Sequence, residues 1–174
     1  MSLFLILLAA GDSKRFKFST PKPYYTINNK TLLEHSLNLF QKNNQVKKTI
    51  IVYNKKHKRY LDKLKLNNVI KIVGGKTRQE STFKALKKIR RMNCKKVLIH
   101  DAARPNTSQI LIKNLIIKLK SNDAVIPIIK TNDATKRTNE NIIFKNIQRK
   151  SLRFTQTPQG FTFKKIYQKH KKNK

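Results

Sequence analysis

One cysteine, Cys94, stands in 174 residues, so no disulfide can close within the chain; a reducing compartment and a small buried thiol are the expectation. Long hydrophobic runs are missing too. The longest, over residues 3–10, falls far short of the ~20 residues a membrane-spanning helix needs. No basic residue precedes it, which argues against a secretory leader although Ala9-Ala10-Gly11 resembles a cleavage site. A cytoplasmic protein with no membrane partner is therefore expected. Glycine and proline are few, at four and five, and build no linker, and no internal repeat is present. Residues 1–174 are expected to fold as a single domain large enough to bury a core.

Acidic residues are the scarcest class for the chain's size. Only 8 Asp and Glu offset 41 Lys and Arg, giving a formal net charge of +33. Such a charge implies non-specific affinity for polyanions and keeps open a basic nucleic-acid-binding protein with no catalysis. No zinc, RRM or KH signature accompanies the charge, and lysine is scattered through every segment, which favours a compositional bias spread over solvated helix faces. The one dense basic patch is residues 169–174.

What is present is an alternation of strand and helix patterns. The unbroken apolar run at residues 3–10 reads as a buried strand opening into a glycine turn at Gly11. Residues 31–42 place Leu32, Leu33, Leu37 and Phe40 near helical spacing, and Thr49-Ile50-Ile51-Val52 within residues 46–53 suits a buried strand. A helix is expected over residues 55–66 and a strand over 69–73, closed by Gly74-Gly75. Thr77 followed three residues later by Glu80 predicts a capping box ahead of Phe83, Leu86 and Ile89. A strand over 97–100 ends at Asp101, a helix follows over 108–119, and a fifth strand is expected over 124–129. The fold class is α/β, with a mostly parallel sheet flanked by helices. Residues 130–153 break the pattern and read as a projecting hairpin arm around Ile142-Ile143-Phe144; residues 161–174 resume helical character.

Ligands of such sheets sit beyond the carboxyl ends of strands, where loops begin at Gly11, Gly74 and Asp101. Gly11 permits a sharp turn that leaves amides free for phosphate oxygens, and Arg15 and Lys22 supply charge for a phosphoryl transition state. The loop is neither a Walker A motif nor a dinucleotide fingerprint. Asp101 could hold Mg²⁺ against nucleotide phosphates, or simply pair Arg104 or cap the next turn. Gly74-Gly75 could admit a flat base, with Ser81 as a donor, or could be an ordinary strand-to-helix turn. His100 is expected to pack or hydrogen-bond and not to act as an acid or base.

Five blocks, LLAAGDSKRF with Pro21-Lys22, GGKTRQES, HDAARP, DATK and QTPQGF, together resemble the 2-C-methyl-D-erythritol 4-phosphate cytidylyltransferase family. The resemblance implies a Rossmann-like nucleotidyltransferase fold that joins CTP to methylerythritol phosphate and releases pyrophosphate. It implies that Ala9, Ala10, Gly11, Gly75 and Ser81 contact CTP, that Arg15 and Lys22 stabilise the α-phosphate transition state, and that Asp101 binds Mg²⁺. It also implies a homodimer in which Arg149, on the arm, grips the substrate phosphate of the neighbouring subunit. A cytidylyltransferase acting on ribitol 5-phosphate shares much of this pattern.

Three departures accompany the resemblance. Ser13 replaces the loop's second glycine, which a negative φ would accommodate. Ala134 replaces the arm threonine, with Thr135 beside it as the substitute. The family continues for roughly fifty residues after the TPQ block, including a strand and a second active-site lysine, whereas this chain stops at Lys174, so a truncated version is expected. In related chains the continuation is fused to a zinc cyclodiphosphate synthase.

Overall fold

The computed structural model describes residues 2–172. In chain order the elements are β1 (Leu3–Ala9), a small hairpin of β2 (Thr26–Ile27) and β3 (Lys30–Thr31), α1 (Leu32–Gln41), β4 (Val46–Tyr53), α2 (Lys58–Asp62), β5 (Val69–Val73), α3 (Arg78–Ile89), β6 (Lys96–Asp101) and α4 (Gln109–Leu119). Then come β7 (Ala124–Val125), β8 (Ile128–Lys130), β9 (Thr135–Asn139), β10 (Ile142–Ile147), β11 (Arg153–Thr155), β12 (Gln159–Thr162) and α5 (Phe163–Lys172). Six strands form the main sheet in the order β5-β4-β1-β6-β12-β7. The first four run parallel, and β12 lies antiparallel between β6 and β7.

Alternation along β1 explains why it is central. Leu3, Leu5, Leu7 and Ala9 pack with Leu33, Leu37 and Phe40 of α1 and Ile112, Leu115 and Ile116 of α4. Phe4 and Ile6 face the opposite way, toward Ala85, Leu86 and Ile89 of α3 and the apolar side of α5. A strand covered on both faces has no solvent side, so its sequence reads as one continuous apolar run. The α/β class with helices on both faces is borne out.

Several boundaries differ from expectation. The strand expected at 124–129 is two strands, because Ile126-Pro127 turns the chain: β7 joins the main sheet while β8 pairs β11. The helix expected at 55–66 is a 3-10 turn at Lys55–His57 followed by the short α2. β12 lies where helix was expected to begin, and its pairing with Ile99 and Leu98 spans some sixty residues of chain. Four residues including Gly160 carry little strand signal of their own; neighbouring strands supply it.

Helix starts are also redistributed. The capping box expected at Thr77 is half formed, since Thr77 accepts the Glu80 N–H but the Glu80 carboxylate takes the N–H of Lys76 at 2.8 Å. The complete box is at α1, where Thr31 and Glu34 exchange both bonds. β9 and β10 form the expected arm, whose Ile142, Ile143 and Phe144 are exposed. The basic patch at 169–174 extends in part outside the described residues.

Candidate active site

Because β5, β4, β1 and β6 are parallel, their carboxyl ends share one edge of the sheet, and four loops leave that edge together. They enclose a cavity of about 700 Å³. Ala9, Ala10, Gly11, Arg15, Lys22, Gly75, Ser81 and Asp101 all line it, so eight of the ten residues singled out in the sequence converge on one space.

The first loop holds Arg15 and Lys22. Its second turn is made by Ser13 at φ +56°, so the negative φ that would accommodate a serine here is not adopted. A left-handed backbone costs a non-glycine residue roughly 1 kcal/mol. The loop folds back on itself: Ser13 O accepts the Phe16 N–H at 2.8 Å, and Ser13 Oγ accepts the Lys22 N–H at 3.0 Å.

Gly74 and Gly75 are required for packing. A Cβ on Gly74 would lie 2.5 Å from Ala10 Cβ and 2.9 Å from Ser81 Oγ; one on Gly75 would lie 2.3–2.7 Å from the Glu80 side chain. Ser81 is buried and its hydroxyl accepts the Gly75 N–H at 3.0 Å, so it shapes the turn. Lys84 Nζ donates to Gly74 O at 2.9 Å, and Glu80, held low in pKa chiefly by the Lys76 N–H and further by Lys84, closes the same turn. The glycine pair thus presents backbone at the cavity wall, held by three side chains of α3.

Asp101 ends β6 opposite Leu8 of β1. Its Oδ1 lies 3.3 Å from Arg78 Nε and its Oδ2 3.2 Å from Arg104 Nε. The pairing with Arg104 expected as the bland alternative is present, and Arg78 adds a second. His100 next to it is buried against Phe40, and its Nε2 donates to Arg104 O at 3.0 Å. Burial lowers its pKa to about 4, so it is neutral and holds the loop, in keeping with its expected packing role. Ser36 of α1 fastens the other side, donating to Ala102 O at 2.9 Å.

Arg149 and Thr135 do not line the cavity. Both lie at the base of the arm, where Thr135 pairs with Ile147 and Arg149 Nη1 donates to Asn132 O at 3.1 Å. QTPQGF reaches the rim through Gln156, which accepts from Arg104 Nη1 at 2.9 Å. Sequence reasoning missed Asn54, whose amide donates to Ala10 O at 3.3 Å and to Asp12 Oδ1 at 2.7 Å, tying the β4 loop to the β1 loop. Its position directly after a β-branched strand was the available signal. Arg78, Arg104 and Lys84 were also missed as cavity residues, though two lay inside the quoted motifs.

Among the described residues no group of three or more His, Cys, Asp or Glu side chains gathers to hold a metal ion. Mg²⁺ commonly uses one or two carboxylates and completes its shell with substrate phosphates and water, and the cavity-lining Asp101 carboxylate fits that pattern. No helix among the described residues is long and apolar enough to cross a membrane.

Comparison with known proteins agrees with this geometry. The family model IspD, 2-C-methyl-D-erythritol 4-phosphate cytidylyltransferase, matches residues 3–174. The bifunctional enzyme IspD/IspF of Pelagibacter ubique is 46% identical over 168 residues, covering 97% of this chain and 45% of that protein. The 2-C-methyl-D-erythritol 4-phosphate cytidylyltransferase of Clostridium kluyveri is 36% identical, covering 98% of this chain and 76% of its own. The crystal structure of 4-diphosphocytidyl-2C-methyl-D-erythritol synthase from Anaerococcus prevotii superposes with a TM-score of 0.81 at 29% identity, covering 99% of this chain and 74% of that one. The chain therefore spans under half of the bifunctional relative and about three quarters of the single-function ones. With the cavity, the strand order and these matches in agreement, this chain belongs to the 2-C-methyl-D-erythritol 4-phosphate cytidylyltransferase family.

Proposed function

We propose that the chain carries out cytidylyl transfer, joining CTP to 2-C-methyl-D-erythritol 4-phosphate to give 4-diphosphocytidyl-2-C-methyl-D-erythritol and pyrophosphate, within non-mevalonate isoprenoid precursor synthesis in the cytoplasm. The observation that supports this most is the single cavity shared by the loop of Arg15 and Lys22, the Gly74-Gly75 turn and Asp101. The cytosine lies against Ala9, Ala10 and Gly75, in the turn that Ser81 shapes. The triphosphate follows the loop from Gly11.

A phosphate oxygen of the sugar phosphate attacks the α-phosphorus of CTP, the bond to the β-phosphate oxygen breaks, and pyrophosphate leaves with the electron pair. Arg15 and Lys22 neutralise charge as it accumulates on the α-phosphoryl oxygens, and this positioned charge is the chain's main contribution to rate. Asp101 would hold Mg²⁺, which supplies Lewis-acid polarisation of the phosphates when bound. Arg149 and Thr135 of a partner subunit's arm grip the sugar phosphate, and this is the reading of a homodimer. The exposed apolar tip of the arm suits that pairing.

Pyrophosphate release is measured with CTP, Mg²⁺ and methylerythritol phosphate, with ribitol 5-phosphate as competitor. Turnover with methylerythritol phosphate is expected, and Lys22→Ala should lower kcat by about 10²–10³. Turnover with ribitol 5-phosphate alone would overturn the substrate, and full activity in the Lys22→Ala variant would overturn the mechanism.

A further inference from the structure

Lys22 opens a 3-10 turn, Lys22–Tyr24, and its N–H has no partner within that turn. The residue before it, Pro21, occupies the capping position and has no side-chain acceptor to offer. The donor is satisfied from nine residues away, by Ser13 Oγ at 3.0 Å. Ser13 reaches it from a left-handed backbone at φ +56°, with its carbonyl taking the Phe16 N–H at 2.8 Å. Glycine would adopt that φ without strain but has no oxygen to offer. Serine here combines an unfavoured conformation with a tie across the loop.

A second brace lies beside the first. The rings of Phe16, Phe18 and Tyr25 form a cluster with centroid separations of 4.6, 5.3 and 5.0 Å. Phe16 follows Arg15 directly and Tyr25 comes three residues after Lys22, so the cluster brackets the stretch of loop that joins the two cations.

We propose that Ser13 is a positioning residue: its hydroxyl acts as the cap of the Lys22 turn and sets the Lys22 backbone relative to the strand end from which the loop leaves. For its effect on turnover the proposal rests on the cytidylyl-transfer reading; for its effect on the loop it does not. A lysine that must meet charge developing at one phosphorus loses rate when its anchor is loose, even if substrate still binds.

The test uses the full chain and compares Ser13→Gly with Ser13→Ala. Hydrogen exchange of the Lys22 amide in the free protein reports the tie directly, and about tenfold faster exchange is expected in both variants, the equivalent of one ordinary hydrogen bond. Ser13→Gly relieves the backbone strain, so its Tm should hold or rise, while kcat falls about tenfold and the KM for CTP changes less than about twofold. Ser13→Ala keeps the strain and should lose both Tm and kcat. A residue with only a structural role would not lose kcat while keeping Tm, so the glycine variant decides. Wild-type amide exchange in Ser13→Gly would overturn the tie, and wild-type kcat in that variant would overturn the positioning role. If the wild-type chain shows no CTP turnover, that failure belongs to the functional reading, and the amide measurement still decides whether the tie exists.

Discussion

Replacing Gly74 by alanine should distort the strand-end cavity from its floor. The added Cβ would sit 2.5 Å from Ala10 Cβ, 2.9 Å from Ser81 Oγ and 3.3 Å from Val52 Cγ1. Two of these groups belong to short side chains that cannot swing aside, so the end of β5 must move away from the end of β1. No glycine has a positive φ, so the backbone at 74 suits alanine and the cost is steric. Overpacking costs about 1–3 kcal/mol, offset by the roughly 0.4–1 kcal/mol that Gly→Ala contributes through the unfolded chain. A net loss of about 1–2 kcal/mol corresponds to a Tm drop of about 2–8 °C at this size. Movement there also strains the Ser81 bond to the Gly75 N–H, so the KM for CTP should rise severalfold. Gly160→Ala is the control. Its Cβ would meet the Cδ2 atoms of Leu115 and Leu119 at 2.6 and 3.0 Å, which are ends of side chains that do not line the cavity. Thermal melts and CTP titrations of the two variants separate the cases. An unchanged Tm and KM in Gly74→Ala, or an equal KM rise in Gly160→Ala, would refute the reasoning.

His100 should weaken the fold in acid. Its folded pKa lies near 4 against an ordinary 6.5, so below about pH 6.5 the unfolded chain takes up a proton that the folded chain refuses. Its contribution is complete above that pH and declines as pH falls toward 4, by about 2 kcal/mol at pH 5. Denaturant melts of His100→Gln should therefore have a flatter acid limb than the parent; parallel limbs would count against the assignment. Ser36→Ala removes the side-chain donor to the Ala102 carbonyl and should cost about 1–2 kcal/mol, read as a lower urea midpoint with an unchanged slope. No change in midpoint would mean that Ser36 does not fasten the Asp101 loop.

The sequence by itself determined the layer order, because a strand buried on both faces must be apolar throughout and a helix packed on one side must repeat its apolar residues at helical spacing. Residues 3–9 and 49–52 are legible for that reason, and 69–73 by its Val and Ile residues, as is the convergence of Gly11, Gly74 and Asp101 at parallel strand ends. Local chemistry also marks the helix start at Thr77. Tertiary structure decided what depends on distant partners. β12 is a strand only because β6 and β7 flank it, and Pro127 divides a run of isoleucines that reads as one strand. Asn54 enters the site by reaching the Ala10 carbonyl across the sheet edge, and Asp101, at the end of β6, meets Arg78 of α3. Ser13 is the sharpest instance. Its φ is positive because the loop closes on Lys22, a bond between residues nine apart that neither residue's own preference specifies.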